Sequence, residues 1–178
     1  MKVRSILVGE LNTNCYLIAS QKDAFIVDPG GDYEKILKLI EGYNLKAIIL
    51  THYHPDHTLV LNEIKKATNA LVLAHGSEKE LLYLLGITPD RYIKDEELLS
   101  LDDGELKVVH TPGHSKGSIC LIANDFIITG DTLFENGYGR TDLPGGSNDQ
   151  MKKSLEKLKE IIKPGMKIYP GHGPSFIY

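Results

Sequence analysis

One heptapeptide constrains this chain more than any other feature: "THYHPDH", residues 51–57, directly behind the apolar run 47–50. Three imidazoles and a carboxylate fall within six residues of each other. Packed together they would repel one another when protonated and waste burial when neutral, and a bound cation removes both objections. The apolar run reads as a strand buried on both faces. The four donors therefore sit where a rigid element hands over to a loop, the usual place for functional side chains. Two residues apart on an extended segment, His52 and His54 point the same way and can reach one ion. Asp56 and His57 follow a proline, where the chain turns toward a helix, and are free to face another. Four donors exceed what one tetrahedral site takes from a single segment. The segment reads as a loop shared by two metal ions.

A two-metal site needs a bridge and ligands from elsewhere in the chain. His114 in "HTPGHSKGS", Asp131 in "IITGDTLF" and His172 in "YPGHGPS" are the available supply, each placed after an apolar run or a Pro-Gly turn. Asp28 in "FIVDPGG" shares that placement, but its turn context suits a cap or a role behind the ligands rather than ligation. His75 and His110 read as bystanders. Imidazole and carboxylate donors without thiolate suit zinc, and also iron or manganese. The expected cofactor is two divalent ions, zinc first.

The rest of the chain is compatible with this. Its 178 residues make one domain, 1–178, long enough for a core without staples. A net charge of −4 lacks the basic footprint of a nucleic-acid binder. The apolar run near the N-terminus is too short for a signal-peptide core or a membrane span. The two cysteines, Cys15 and Cys120, form no CxxC pair and read as buried free thiols. The expectation is a cytoplasmic protein acting on a small-molecule substrate, without nucleic acid or membrane; oligomeric state is not legible.

Strands are expected at 2–8, 13–19, 24–28, 46–50, 71–74, 106–110, 118–123, 126–129 and 167–169. A helix after Asp32 buries Ile36, Leu39, Ile40 and Tyr43. A short helix is expected at about 59–67, and another behind a Ser77/Glu80 capping box that ends at Gly86. A Gly-rich loop spans 131–147. A last helix at 149–162 carries Met151, Leu155, Leu158 and Ile162 on one face and stops at Pro164-Gly165. The alternation argues for a mixed α/β domain.

Taken in order, "THYHPDH", "HTPGHSKGS", "GDTLF" and "PGHGP" resemble the metallo-β-lactamase superfamily, and "NCYLI" and "VDPGG" resemble its usual opening. "GDTLFENGYGRTDLPGGS" is similar to its small glyoxalase II-like hydrolases. The resemblance covers essentially the whole chain and implies a four-layer αββα sandwich with metals at one edge. It implies that His52, His54 and His114 hold one ion, that Asp56, His57 and His172 hold the other, and that Asp131 bridges them. Two features depart from the pattern. The metal loop continues as Thr58-Leu59-Val60 where many relatives have a glycine pair. Only six residues follow His172, with no counterpart of the helical region by which glyoxalase II holds glutathione.

The implied chemistry is hydrolysis, with a metal-activated water attacking a thioester or related ester and with Asp56 and Asp131 as the carboxylates of the catalytic centre. A mononuclear-iron persulfide dioxygenase is the alternative, and a metal-stabilised binding protein a third. In the loop after Asp131, Phe134 and Tyr138 are expected to wall the substrate pocket and Arg140 to meet an anionic group. The competing reading has Arg140 and Asp142 merely holding the loop.

Overall fold

The computed structural model describes all 178 residues. Two six-stranded sheets carry the chain. The first contains β1 (Lys2–Val8), β2 (Thr13–Ala19), β3 (Asp23–Val27), β4 (Asn44–Ile49), β5 (Leu71–His75) and β6 (Arg91–Ile93), side by side in chain order. β1 to β3 are antiparallel neighbours joined by turns. β3 to β6 are parallel, so each step needs a crossover. α1 (Tyr33–Ile40) supplies the first, α2 (Pro55–Thr58) and α3 (Leu61–Thr68) the second, and α4 (Lys79–Leu84) the third.

The second sheet contains β7 (Leu98–Leu101), β8 (Gly104–His110), β9 (Ile119–Ile122), β10 (Phe126–Gly130), β11 (Lys167–Pro170) and β12 (Phe176–Ile177), in the order β12-β11-β10-β9-β8-β7. Only β10 and β11 are parallel, and α5 (Asn148–Ile161) is their crossover.

Three apolar clusters define four layers. Tyr16, Phe25, Val27, Ile49 and Leu73 of the first sheet pack against Leu106, Val108, Leu121 and Ile128 of the second. The opposite face of the first sheet, with Leu17, Ile26 and Ile48, is covered by Ile36 and Ile40 of α1, Ile64 of α3 and Leu82 of α4. Leu158 of α5, with Ile162 just beyond it, covers Val109, Ile127 and Ile168 on the outside of the second. β2 is buried at every position, because the helices lie on one face of it and the other sheet on the other. This is the expected αββα sandwich.

Several local expectations need correction. The helix expected at 59–67 is α3, and a further short helix not expected, α2, precedes it and carries Asp56 and His57. Tyr43 lies beyond the end of α1. Asp32 precedes α1, but its carboxylate accepts from the Gly9 amide instead of capping the helix. Ser77 is not a cap: residues Gly76–Glu78 form a 3₁₀ turn capped by His75, and Glu78 turns inward. The short strands β6, β7 and β12 were not expected, since two to four residues carry too little periodicity to register. Cys15 and Cys120 are free and buried. No helix is long and apolar enough to cross a membrane.

Candidate metal centre

Each donor singled out in the sequence reaches one edge of the sandwich. His52 and His54 follow β4, Asp56 and His57 sit on α2, His114 lies in the β8–β9 connection, Asp131 follows β10 and His172 follows β11. Strands that are parallel within each sheet end on the same side, so segments far apart in sequence meet there.

They meet as two triads. His52, His54 and His114 converge on one point, and Asp56, His57 and His172 on another. In the first, His54 Nδ1 lies 2.8 Å from His114 Nε2, which lies 3.2 Å from His52 Nε2. In the second, His172 Nε2 lies 3.1 Å from Asp56 Oδ2 and 3.3 Å from His57 Nε2. Asp131 stands between them. Its Oδ2 is 3.4 Å from His114 Nε2 and 3.6 Å from His172 Nε2, while its Oδ1 is 3.5 Å from His57 Nε2.

The far nitrogen of four of the five imidazoles has an oxygen partner. His52 Nδ1 lies 3.0 Å from Thr51 Oγ1, and His57 Nδ1 lies 2.9 Å from Asp28 Oδ2. His114 Nδ1 lies 2.7 Å from the Arg140 carbonyl, and His172 Nδ1 lies 3.2 Å from the Leu11 carbonyl. A proton held on Nδ1 leaves the Nε2 lone pair aimed into the cluster, the tautomer a metal ligand requires. Asp131 Oδ1 is buried without any hydrogen-bond partner, an expensive state unless something cationic faces it. The donor set fits a pair of divalent ions.

Asp28 also lies within reach of His52 and His57, but its oxygens are taken. Oδ1 accepts from the Thr51 amide at 2.8 Å, and Oδ2 accepts from the Thr51 hydroxyl at 2.6 Å and from His57. Asp28 is thus hydrogen-bonded behind the two triads, in a position to orient His52, through Thr51, and His57.

The two triads differ electrostatically when no ion is bound. Burial, followed by the neighbouring imidazoles of His57 and His114, pushes His52 well below the usual histidine range. Burial and His114 bring His54 down to about 4. In the second triad burial opposes a charge on His57, yet Asp28 and Asp131 outweigh it and hold its pKa up at about 9. A hydrogen bond to Asp56 raises His172. Burial alone would raise Asp56, but His172 and His57 draw it below the usual carboxylate range. The first triad thus disfavours protonation, while in the second His57 holds a proton that an entering cation must displace.

Packing leaves little freedom at this edge. A side chain at Gly171 would collide with Asp131 Oδ1 and the His57 ring, and one at Gly139 would collide with the Asp131 carbonyl and His114. The segment holding His172 is pinned to β2: Asn14 donates from its side-chain amide to the Pro170 and Gly173 carbonyls at 2.9 and 2.8 Å, and Tyr16 donates to Pro170. Thr13 donates to Asp56 Oδ2 at 3.2 Å. Roles for Thr13, Asn14 and Thr51 were not legible in sequence, where each is an ordinary polar residue beside a strand.

The loop after Asp131 is only partly as expected. Phe134 sits edge-on to His172, with ring centroids 6.3 Å apart. Tyr138 lies with Phe134 on the wall of an apolar pocket of about 270 Å³ that faces Leu155 and Leu158 of α5. The Arg140 guanidinium pairs through two 2.8 Å bonds with Asp142, both side chains in solvent, while its carbonyl serves His114. His75 and His110 stack on each other, centroids 4.0 Å apart, and belong to neither triad.

Two donor triads joined by one carboxylate, at the edge of an αββα sandwich, define the metal-dependent hydrolase class of site. Residues 8–172 match the metallo-beta-lactamase superfamily, and the chain belongs to it. It is 34% identical over 193 residues to "Probable metallo-hydrolase YqgX" of Bacillus subtilis (strain 168), with 98% of this chain and 92% of that protein covered. It is 31% identical over 193 residues to "Hydroxyacylglutathione hydrolase GloC" of Haemophilus influenzae, covering 97% and 91%. Among solved structures, the BLEG-1 B3 metallo-beta-lactamase superposes with a TM-score of 0.90 at 30% identity, covering 99% of this chain and 94% of that one. TTHA1623 in a di-iron-bound form superposes at 0.85 with 28% identity, covering 98% and 94%.

Proposed function

We propose that this chain is a dinuclear thioester hydrolase, with His52, His54 and His114 holding one zinc ion, Asp56, His57 and His172 the other, and Asp131 spanning both. The observation that carries the reading is the pair of compact triads with the Asp131 carboxylate between them. The thioester substrate class draws its support from the similarity to GloC.

Two divalent ions in these triads would supply Lewis acidity and a bound water acidified to near neutrality. The protein's own part is positional. Asp131 fixes the distance between the triads and thereby the line of attack. The Nδ1 partners keep four of the five rings from turning, while His54 presents its own Nδ1 to the cluster. Asp56 and His172 are the partly exposed donors, with side chains 24% and 27% accessible, so a small-molecule substrate reaches the centre from their side. Phe134 stands edge-on beside His172 on that side.

The test is elemental analysis of protein purified without added metal, followed by a screen of thioesters with release of free thiol as the readout. Two ions per chain and thiol release that stops on chelation are expected. One iron per chain, with oxygen consumed in the presence of a persulfide, would replace this reading with that of a persulfide dioxygenase. Two ions without thiol release from any thioester would remove the substrate class.

A further inference from the structure

Glu78 is a carboxylate with no exposed surface at all, outside both triads. It ends the 3₁₀ turn that follows β5 in the first sheet. Its Oε1 accepts from the Ser115 hydroxyl and, at 2.7 Å, from the Gly117 amide. Ser115 is the residue next to His114. The Ser115 hydroxyl also meets the Ser118 hydroxyl at 2.7 Å, and Ser118 accepts from the Ser115 amide at 3.0 Å. A side chain on Gly117 would strike Glu78, so the loop is shaped to let this carboxylate in. The same turn makes a second contact: the His75 ring stacks on His110, whose Nε2 lies 2.9 Å from the Lys116 carbonyl.

Burying a carboxylate is expensive, and this one is incompletely repaid, because Oε2 has no hydrogen-bond partner. An apolar residue would be the cheaper filling for the site. What the carboxylate supplies that an apolar residue cannot is two directed bonds to the loop that carries His114.

We propose that Glu78 is the positioning residue of the first triad, holding residues 114–118 in the curvature that aims His114 Nε2 at His52 and His54. The inference rests on the assignment of those three histidines as ligands. Glu78 reaches no substrate and no ion; it acts through Ser115 and Gly117. The first sheet thereby sets the position of a ligand borne by the second.

The experiment uses the full chain stripped of metal and titrated with zinc against a chromophoric chelator, and with cobalt for its visible spectrum. Glu78→Ala should weaken the first ion about 10- to 100-fold, the usual cost of losing such a partner, and alter the cobalt bands of that ion. The Asp56/His57/His172 ion should hold its affinity. Glu78→Gln keeps an acceptor oxygen and should restore the first ion to nearly the original affinity. Ser115→Ala, which removes only one of the two bonds, should give a smaller loss at the same ion and serves if Glu78→Ala does not fold. Wild-type affinity for the first ion in folded Glu78→Ala or in Ser115→Ala would overturn the proposal, as would equal losses in the Ala and Gln variants. If His114→Ala loses that ion while Glu78→Ala keeps it, this inference alone fails. If His114→Ala keeps it, the ligand assignment fails and takes the inference with it.

Discussion

Asp28→Asn changes one atom and should damage both metal pockets. In the native arrangement Asp28 can only accept. The Thr51 hydroxyl therefore donates to Oδ2 at 2.6 Å, which leaves the Thr51 oxygen to accept from His52 Nδ1 at 3.0 Å. His57 Nδ1 likewise donates to Oδ2 at 2.9 Å. One carboxylate oxygen thus fixes the tautomers of a ligand in each triad. In the Asn variant, Oδ1 still serves the Thr51 amide, 2.8 Å away, and an NH₂ group replaces Oδ2. That group donates to Thr51, whose proton must then go to His52 Nδ1, and it faces His57 Nδ1 as a donor. Both rings are driven to carry their proton on Nε2, where the ion should be. Loss of an orienting partner costs about 10- to 100-fold in metal affinity, or roughly 1.4–2.7 kcal/mol for each ion. Zinc titration against a chelator measures each step. Thr51→Val is the control: it breaks only the path to His52 and should weaken the first ion alone. Two ions bound by Asp28→Asn with native affinity would refute the tautomer argument, and so would a Thr51→Val variant that weakens both.

Further outcomes follow from other contacts. Gly171→Ala should force Asp131 and His57 apart, lowering the occupancy of both ions and costing about 1–3 kcal/mol of apo-protein stability through overpacking; thermal unfolding and metal analysis check this. His75 is held down at about 4 by burial and by His110, so the unfolded chain takes up a proton before the folded one does. Its contribution to stability is intact above about pH 6.5 and is lost as pH falls from there toward 4. His75→Gln should shallow the acid loss of apo-protein stability across that window by about 1–2 kcal/mol after allowance for solvent, and parallel acid profiles would contradict it. Arg140→Ala should leave both metal content and Tm unchanged, because the carbonyl and not the side chain serves His114; if Arg140 meets an anionic substrate group, KM rises for acidic thioesters and not for neutral ones.

The sequence by itself picked out the candidate donors. "THYHPDH" behind an apolar run, with His114, Asp131 and His172 at similar junctions, is dense in a way that only a cation makes sensible, and side-chain chemistry is a local property. The longer strands and helices were legible for a similar reason: their periodicity extends over enough residues to read, as in α5, whereas β6, β7 and β12 are too short. The spacing and the resemblance already implied how the donors divide, and the fold brings together the same two groups; tertiary structure alone decided what aims them. Asp131 stands between the triads because β10 ends beside the loops that carry His114 and His172. Asp28, Thr51, Asn14 and the Arg140 carbonyl act through directed hydrogen bonds to groups up to 159 residues away, and no spacing rule encodes such a contact. Glu78 shows the limit most clearly. In sequence it reads as one more charge at the start of a helix; in the fold it is the buried end of a turn, pressed against the neighbour of the candidate ligand His114 from the other sheet. A residue type states what a side chain can do, but its partners are set by the packing of the two sheets.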